Sequence, residues 1–111
     1  MKNLPDCPVE TALLFIGNKW QVLILRDLMN GKLRSSELKR SVGNITQKVL
    51  TANLRLMEEH GLVSRTVYPE VPPRVEYELT SLGLTLAPIL AQLAQWGEQY
   101  KRQYGQKKTA L

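Results

Sequence analysis

Four polar residues at helical spacing are the side chains in this sequence best suited to bind a partner. Gln47, Lys48, Thr51 and Arg55 supply an amide, an ammonium, a hydroxyl and a guanidinium group. On a helix, Lys48, Thr51 and Arg55 share one face with Ala52, and this face contains no acid. Such a face fits the major groove of double-stranded DNA, about 12 Å wide. There Arg55 or Lys48 would pair with guanine and Gln47 with adenine, or the same groups would contact phosphates.

The surrounding pattern predicts a helix-turn-helix that positions this face. A short helix is expected from Ser35 to Ser41, and a longer one from Thr46 to His60, with Thr46 as the N-cap. A four-residue turn that contains Gly43 joins the two helices, as in a helix-turn-helix. The inward side of the longer helix is expected to consist of Leu50, Leu54 and Met57.

The start of the short helix and a following β-hairpin complete the predicted site. Ser35 and Ser36 open the short helix, whose free N–H groups suit a phosphate oxygen. Residues 62–68 and 75–79 predict two strands, so the motif is a winged helix, with Arg74 at the hairpin tip reaching the minor groove or its backbone. The candidate DNA-binding residues are Arg34, Ser35, Ser36, Gln47, Lys48, Thr51, Arg55 and Arg74.

The positive charge of the chain is concentrated in the same region. The 111 residues contain 15 Lys and Arg against 10 Asp and Glu, a net charge of +5. Residues 32–55 contain six bases and one acid, so they carry the whole excess. A basic segment on a neutral body is typical of a protein that binds a polyanion. The alternative is that Lys48 and Arg55 belong to a solvated helical face, and that they and Arg74 on the hairpin serve only solubility.

Composition excludes several classes of protein. One cysteine and one histidine cannot supply an internal disulfide or a four-ligand zinc site. The longest apolar run, residues 12–16, is far shorter than the ~20 residues that cross a bilayer, and the first residues lack an apolar signal core. No nucleotide or cofactor motif is present. We therefore expect a single domain over residues 1–111, cytoplasmic, with a loose tail from about residue 105 and with no metal, cofactor or membrane partner.

Apolar helices are expected at both ends of the chain. Pro8 suits the first turn of a helix that ends at Gly17, and Asn18 is typical of the N-cap of a second, buried helix that ends near Met29. After the hairpin, Thr80 is expected to cap one long final helix that bends at Pro88. The predicted fold class is therefore mainly α with a small β-hairpin.

The sequence resembles the HxlR family of bacterial winged-helix transcription regulators, which is related to the MarR group. The matching stretches are Cys7-Pro8-Val9-Glu10, Ile16-Gly17-Asn18-Lys19-Trp20, Ile45-Thr46-Gln47-Lys48-Val49-Leu50, Glu58-Glu59-His60-Gly61-Leu62-Val63, Arg65-Thr66-Val67-Tyr68-Pro69-Glu70-Val71-Pro72-Pro73-Arg74-Val75-Glu76-Tyr77 and Leu79-Thr80-Ser81-Leu82-Gly83. The match covers about residues 7–104. One departure is Ser35, which stands where the family usually has an aromatic residue, so a small cavity or an altered ligand space is expected there.

The resemblance implies a homodimer that binds an inverted repeat in double-stranded DNA. The family dimerises through its first and last helices, which here contain Val9, Leu13, Leu86, Leu90, Leu93, Trp96 and Tyr100. Packing within one chain is the alternative role for these residues. Repression and activation differ in where the operator lies relative to the promoter, and the sequence does not distinguish them.

The single cysteine, Cys7, precedes Pro8 at the predicted start of the first helix. Some similar family members use a cysteine here to sense oxidants or electrophiles, so an oxidant or small-molecule effector is one hypothesis. Any disulfide would be intermolecular because no second cysteine exists. The alternative is a small apolar residue that seats the N-terminus at the dimer interface.

Two other classes of function compete with DNA binding. An enzyme would need a base beside Cys7, and the only histidine, His60, lies at the far end of the predicted longer helix. A winged helix that binds protein or RNA is the second alternative. Single-strand binders use exposed aromatic residues among basic ones, whereas residues 32–55 contain no aromatic residue.

Overall fold

Six helices and three strands make up the part of the chain that the computed structural model describes, residues 3–105. In chain order they are α1 (Pro8–Ile16), α2 (Lys19–Leu28), β1 (Leu33–Arg34), α3 (Ser35–Val42), α4 (Gln47–Glu59), β2 (Val63–Tyr68), β3 (Arg74–Leu79), α5 (Ser81–Leu84) and α6 (Ala87–Tyr104). Gly105 caps α6, and the rest of the tail predicted to be loose lies outside the described residues.

Two polar side chains fix where α2 and α4 begin. Asn18 Oδ1 accepts hydrogen bonds from the backbone N–H groups of Trp20 and Gln21, at 2.8 and 3.4 Å. Thr46 Oγ1 accepts one from the N–H of Val49 at 3.1 Å. Each side chain satisfies N–H groups that have no partner within the helix. Both predicted N-caps are confirmed.

The end of α4 and the strand that follows are joined by a tight turn. Gly61 has φ +78°, a left-handed conformation that favours glycine. The N–H of Leu62 donates to the carbonyl of Met57 at 2.9 Å, which is the Schellman arrangement. The chain therefore reverses at Gly61 and enters β2 directly.

The strands form a three-stranded antiparallel sheet in the order β1-β3-β2. In the β2–β3 hairpin, Val63 pairs with Leu79 and Tyr68 pairs with Arg74. β1, which pairs with β3 through Leu33 and Tyr77, was not predicted because two residues show no strand periodicity. The sheet places the start of α3 directly beside the wing.

The hydrophobic core lies between α2, α3, α4 and the sheet. Its fully buried side chains are Ile24, Leu25, Leu28, Leu38, Leu50, Leu54 and Met57. Val63, Tyr77 and Leu79 of the sheet and Leu62 just before β2 close it on the other side. The predicted inward side of α4 is thus confirmed. Because this side is buried against α2 and the sheet, the opposite side of α4 must face outward.

The prediction of one bent C-terminal helix is wrong. α5 ends at Leu84, and α6 begins at Ala87 with Pro88 in its first turn. Proline is tolerated there because the N–H groups of the first turn have no partner within the helix. Thr80 caps the short α5 and not the long helix, since it accepts a hydrogen bond from the N–H of Gly83 at 3.0 Å. No helix in residues 3–105 is both long enough and apolar enough to cross a bilayer.

Candidate nucleic-acid interface

The outer face of α4, formed by Lys48, Thr51, Ala52 and Arg55, is the centre of the candidate interface. Lys48, Ala52 and Arg55 are exposed and Thr51 is half-buried. In residues 3–105 neither Lys48 nor Arg55 forms an ion pair, so both charges are free to meet an anion. The structure therefore brings these four residues together on one accessible surface.

Gln47 links this face to the start of α3. Its Nε2 donates to Thr51 Oγ1 at 3.1 Å and to Ser35 Oγ at 3.4 Å. A Gln–adenine pair uses both polar atoms of the amide, so Nε2 would have to exchange these hydroxyl oxygens for the base. In the free protein Gln47 instead connects the start of α4 to the start of α3.

The start of α3 lies beside α4 and the wing, as predicted from Arg34, Ser35 and Ser36. Arg34 precedes the helix, and its backbone N–H donates to Glu37 Oε1 at 2.7 Å. Ser36 and the Arg34 side chain are exposed, and Ser35 is half-buried. Three of the candidate DNA-binding residues therefore share one rim of the interface.

Arg74 lies at the base of the wing loop and not at the predicted hairpin tip. It is the first residue of β3 and pairs with Tyr68, so residues 69–73 extend beyond it. Its Nη2 lies 3.3 Å from Glu70 Oε2, and its Nε lies 3.6 Å from Glu76 Oε2. The guanidinium also stacks on the Tyr68 ring, 4.1 Å from the centroid. The sequence reasoning located the wing but missed these three partners.

Two open clefts meet at Ser35, the position where an altered space was expected. One, of about 510 Å³, lies between the start of α3 and the wing loop and is bordered by Arg34, Gln47 and Arg74. The other, of about 360 Å³, lies between α4 and the sheet and is bordered by Arg55 and Arg65. Arg65, on the exposed strand β2, was not among the predicted residues.

The residues predicted for dimerisation fall into two groups. Leu86 and Leu90 pack partly against the core of their own chain. Val9, Leu13, Leu93, Trp96 and Tyr100 are between 50% and 67% exposed. α6 contains no fully buried residue. Apolar side chains on α1 and on α6 are thus left uncovered by the described part of the chain.

The end of α6 adds an aromatic residue that the sequence reasoning missed. The rings of Trp96 and Tyr100 stack with their centroids 5.6 Å apart. The centroids of the Tyr100 and Tyr104 rings are 5.0 Å apart. Tyr104 is 66% exposed. The i, i+4, i+8 spacing was the available signal for a continuous row of rings.

Cys7 is exposed and stands at the N-cap of α1. Its carbonyl oxygen accepts a hydrogen bond from the N–H of Thr11 at 3.1 Å. The thiol is therefore accessible at the edge of the apolar surface of α1.

Comparison with known proteins identifies the family to which this chain belongs. The model of the HxlR-like helix-turn-helix family matches residues 15–104. The chain belongs to this family. An HTH-type transcriptional regulator of Bacillus subtilis, YkvN, is 54% identical over 98 residues, which is 88% of this chain and 83% of YkvN.

Solved structures of similar proteins agree with the winged-helix fold of this HxlR-like protein. The oxidised form of the redox regulator HypR is 47% identical, with a TM-score of 0.79 over 84% of this chain and 96% of HypR. A MarR-family transcriptional regulator from Porphyromonas gingivalis W83 is 37% identical, with a TM-score of 0.82 over 88% of this chain and 96% of its own. The protein is a transcriptional regulator of the HTH type.

Proposed function

We propose that this protein is a homodimeric transcriptional regulator that binds an inverted-repeat operator in double-stranded DNA. The observation that carries the proposal is the outer face of α4, where Lys48 and Arg55 are exposed and unpaired within residues 3–105. Small side chains between them allow the helix to approach base edges closely. The whole described chain acts as one winged-helix domain in this proposal.

The residues of the interface fall into candidates for base contacts and candidates for phosphate contacts. Arg55, Lys48 and Thr51 lie where α4 would enter the major groove, so they are the candidates for base contacts. Arg34, Ser35, Ser36 and Arg74 border the groove between α3 and the wing, a position suited to the phosphate backbone. Gln47 joins the first group if its amide leaves Ser35 and Thr51.

Dimerisation supplies the second α4 helix, which would bind the second half-site of the operator. The exposed apolar residues Val9, Leu13, Leu93, Trp96 and Tyr100 lie on α1 and α6, on the helices that the resemblance assigns to the dimer. Large apolar side chains left exposed on two helices are typical of an interaction site. A two-fold dimer presents two α4 helices, so the operator would be an inverted repeat with half-sites one or two helical turns apart.

Selection of bound duplexes from a random-sequence DNA pool, under thiol reductant, tests this function and yields the operator sequence in the same experiment. We expect enrichment of an inverted repeat and two protein chains on each duplex. The double variant Lys48→Ala/Arg55→Ala should lose the preference. A matched control, Lys101→Ala/Arg102→Ala on α6, removes the same charge and should keep it. No enriched motif, or preferential binding to single-stranded RNA, would overturn the proposal.

A thiol switch at Cys7 is a second candidate function. It is supported by the exposed Cys7 thiol and by the similarity to a redox regulator. In the proposed step, two Cys7 thiols of two chains, or one Cys7 and a small thiol, lose two electrons and two protons to form a disulfide. Hydrogen peroxide accepts them and leaves as two water molecules. Peroxide should change operator affinity in the wild type and have no effect on Cys7→Ser; equal responses would exclude the switch.

A further inference from the structure

Four side chains at the base of the wing form one charged cluster. The wing-base cluster consists of Tyr68, Glu70, Arg74 and Glu76. Arg74 is at its centre, with a carboxylate on two sides and an aromatic ring beneath the guanidinium. This arginine is therefore positioned by its neighbours before any partner arrives.

The two carboxylates differ in how firmly they are held. The Glu76 side chain is 17% exposed, lies within the β3 ladder and also approaches Lys32 Nζ at 3.9 Å. The Glu70 side chain is 52% exposed and lies on the wing loop. Glu76 is thus a fixed partner of Arg74, whereas Glu70 is free to leave without disturbing the sheet.

The hydrogen bonds of Arg74 are incomplete. Its Nε is buried and has no hydrogen-bond partner among the described residues, because Glu76 Oε2 is at ion-pair distance, 3.6 Å, and not at hydrogen-bond distance. Nη2 is 3.3 Å from the more exposed Glu70. Because the buried Nε is out of reach, an incoming phosphate would meet the Nη groups of Arg74, one of which now faces Glu70. A guanidinium can bind a phosphate through two such donors, a geometry that lysine does not offer.

We propose that the wing-base cluster is an exchangeable phosphate clamp, in which Glu70 occupies the guanidinium edge of Arg74 until a DNA phosphate displaces it. Glu76 and Tyr68 are positioning residues that keep the guanidinium in place during the exchange. The cleft that Arg74 and Glu70 border also contains Arg34 and Ser36, so an incoming phosphate would meet a second cation and a hydroxyl. This inference rests on the proposed function and assigns Glu70 the role of lowering DNA affinity.

Glu70→Gln tests the clamp, with Glu78→Gln as its matched control. Glu78 is an exposed residue of β3 outside the cluster, so both variants remove one negative charge from the wing. The probe is a labelled random-sequence duplex at low salt, because phosphate contacts do not depend on sequence. We expect Glu70→Gln to tighten binding about two- to five-fold more than Glu78→Gln does. This is the change in affinity that corresponds to the loss of one exposed ion pair.

The same pair of variants in an Arg74→Ala background separates a specific exchange from a general charge effect. Without Arg74, Glu70→Gln and Glu78→Gln should change binding equally. Arg74→Gln, which keeps more of the side chain over Tyr68, replaces Arg74→Ala if circular dichroism shows that the alanine variant is unfolded. Glu76→Gln should loosen the hold on Arg74. Compared with Glu78→Gln, it should therefore lower the slope of log affinity against log salt concentration by up to about the value of one phosphate contact.

The outcomes separate failure of the clamp from failure of DNA binding. If the wild type binds the duplex but Glu70→Gln behaves as Glu78→Gln with Arg74 present, the clamp is wrong and the proposed function stands. Weaker binding by Glu70→Gln would also overturn it, because Glu70 would then be a positioning residue. If the wild type does not bind any duplex, both proposals fall.

Discussion

Replacement of Arg55 by alanine probes how α4 recognises DNA. Arg55 is seven positions after Lys48 on the same face, so the two lie about 10 Å apart along the helix axis at 1.5 Å per residue. At 3.4 Å per base pair, this distance covers about three base pairs. A two-point arginine–guanine pair contributes about 1–3 kcal/mol of discrimination, so Arg55→Ala should weaken operator binding about 5- to 150-fold.

The assay is a fluorescence anisotropy titration of the selected operator and of a scrambled duplex at two salt concentrations. Arg102→Ala is the control, because it removes the same charge from exposed α6. Arg55→Ala should lose affinity for the operator and much less for the scrambled duplex, whereas Arg102→Ala should leave the ratio unchanged. Equal losses on both duplexes would refute base recognition by Arg55 and make it a phosphate contact.

Three further variants test the fold and the dimer. Leu50→Ala, at a fully buried position, should lower the free energy of unfolding by about 2–5 kcal/mol in urea titrations; a loss below about 1 kcal/mol would contradict the core described above. Trp96→Ala removes a 67% exposed ring from the row it forms with Tyr100, and light scattering should show a shift from dimer to monomer with an unchanged circular dichroism spectrum. A wild type that is already monomeric at micromolar concentration would exclude the dimer. Gly83→Ala places a Cβ against the backbone oxygen of Leu62, closer than van der Waals contact, so the melting temperature should fall; an unchanged melting temperature would contradict this close packing of α5.

The starts of α2 and α4 and the end of α4 could be predicted because their signals are local. Asn18 and Thr46 are side chains whose hydrogen bonds reach only two or three residues along the chain, and both caps are confirmed. Gly61 and Leu62 end α4 by an equally local bond. The period of the apolar residues then determines which side of α4 is buried and which side is free.

The features that sequence reasoning missed depend on contacts between distant segments. β1 is two residues long and exists because Leu33 meets Tyr77, 44 positions later. By contrast, the break between α5 and α6 was missed for a local reason, since Pro88 is compatible with both a bend and a helix start. The partners of Arg74 come from β2, the wing loop and β3, and hairpin register alone brings Tyr68 opposite Arg74.

Hydroxyl-radical footprinting of the selected operator tests the central claim, DNA binding by a two-fold dimer through α4, most directly. We predict two equivalent protected segments whose centres are one or two helical turns apart, about 34 Å or twice that distance. Both should disappear together in Lys48→Ala/Arg55→Ala and remain in Lys101→Ala/Arg102→Ala. A single protected segment, or protection that survives the α4 variant, would contradict the claim.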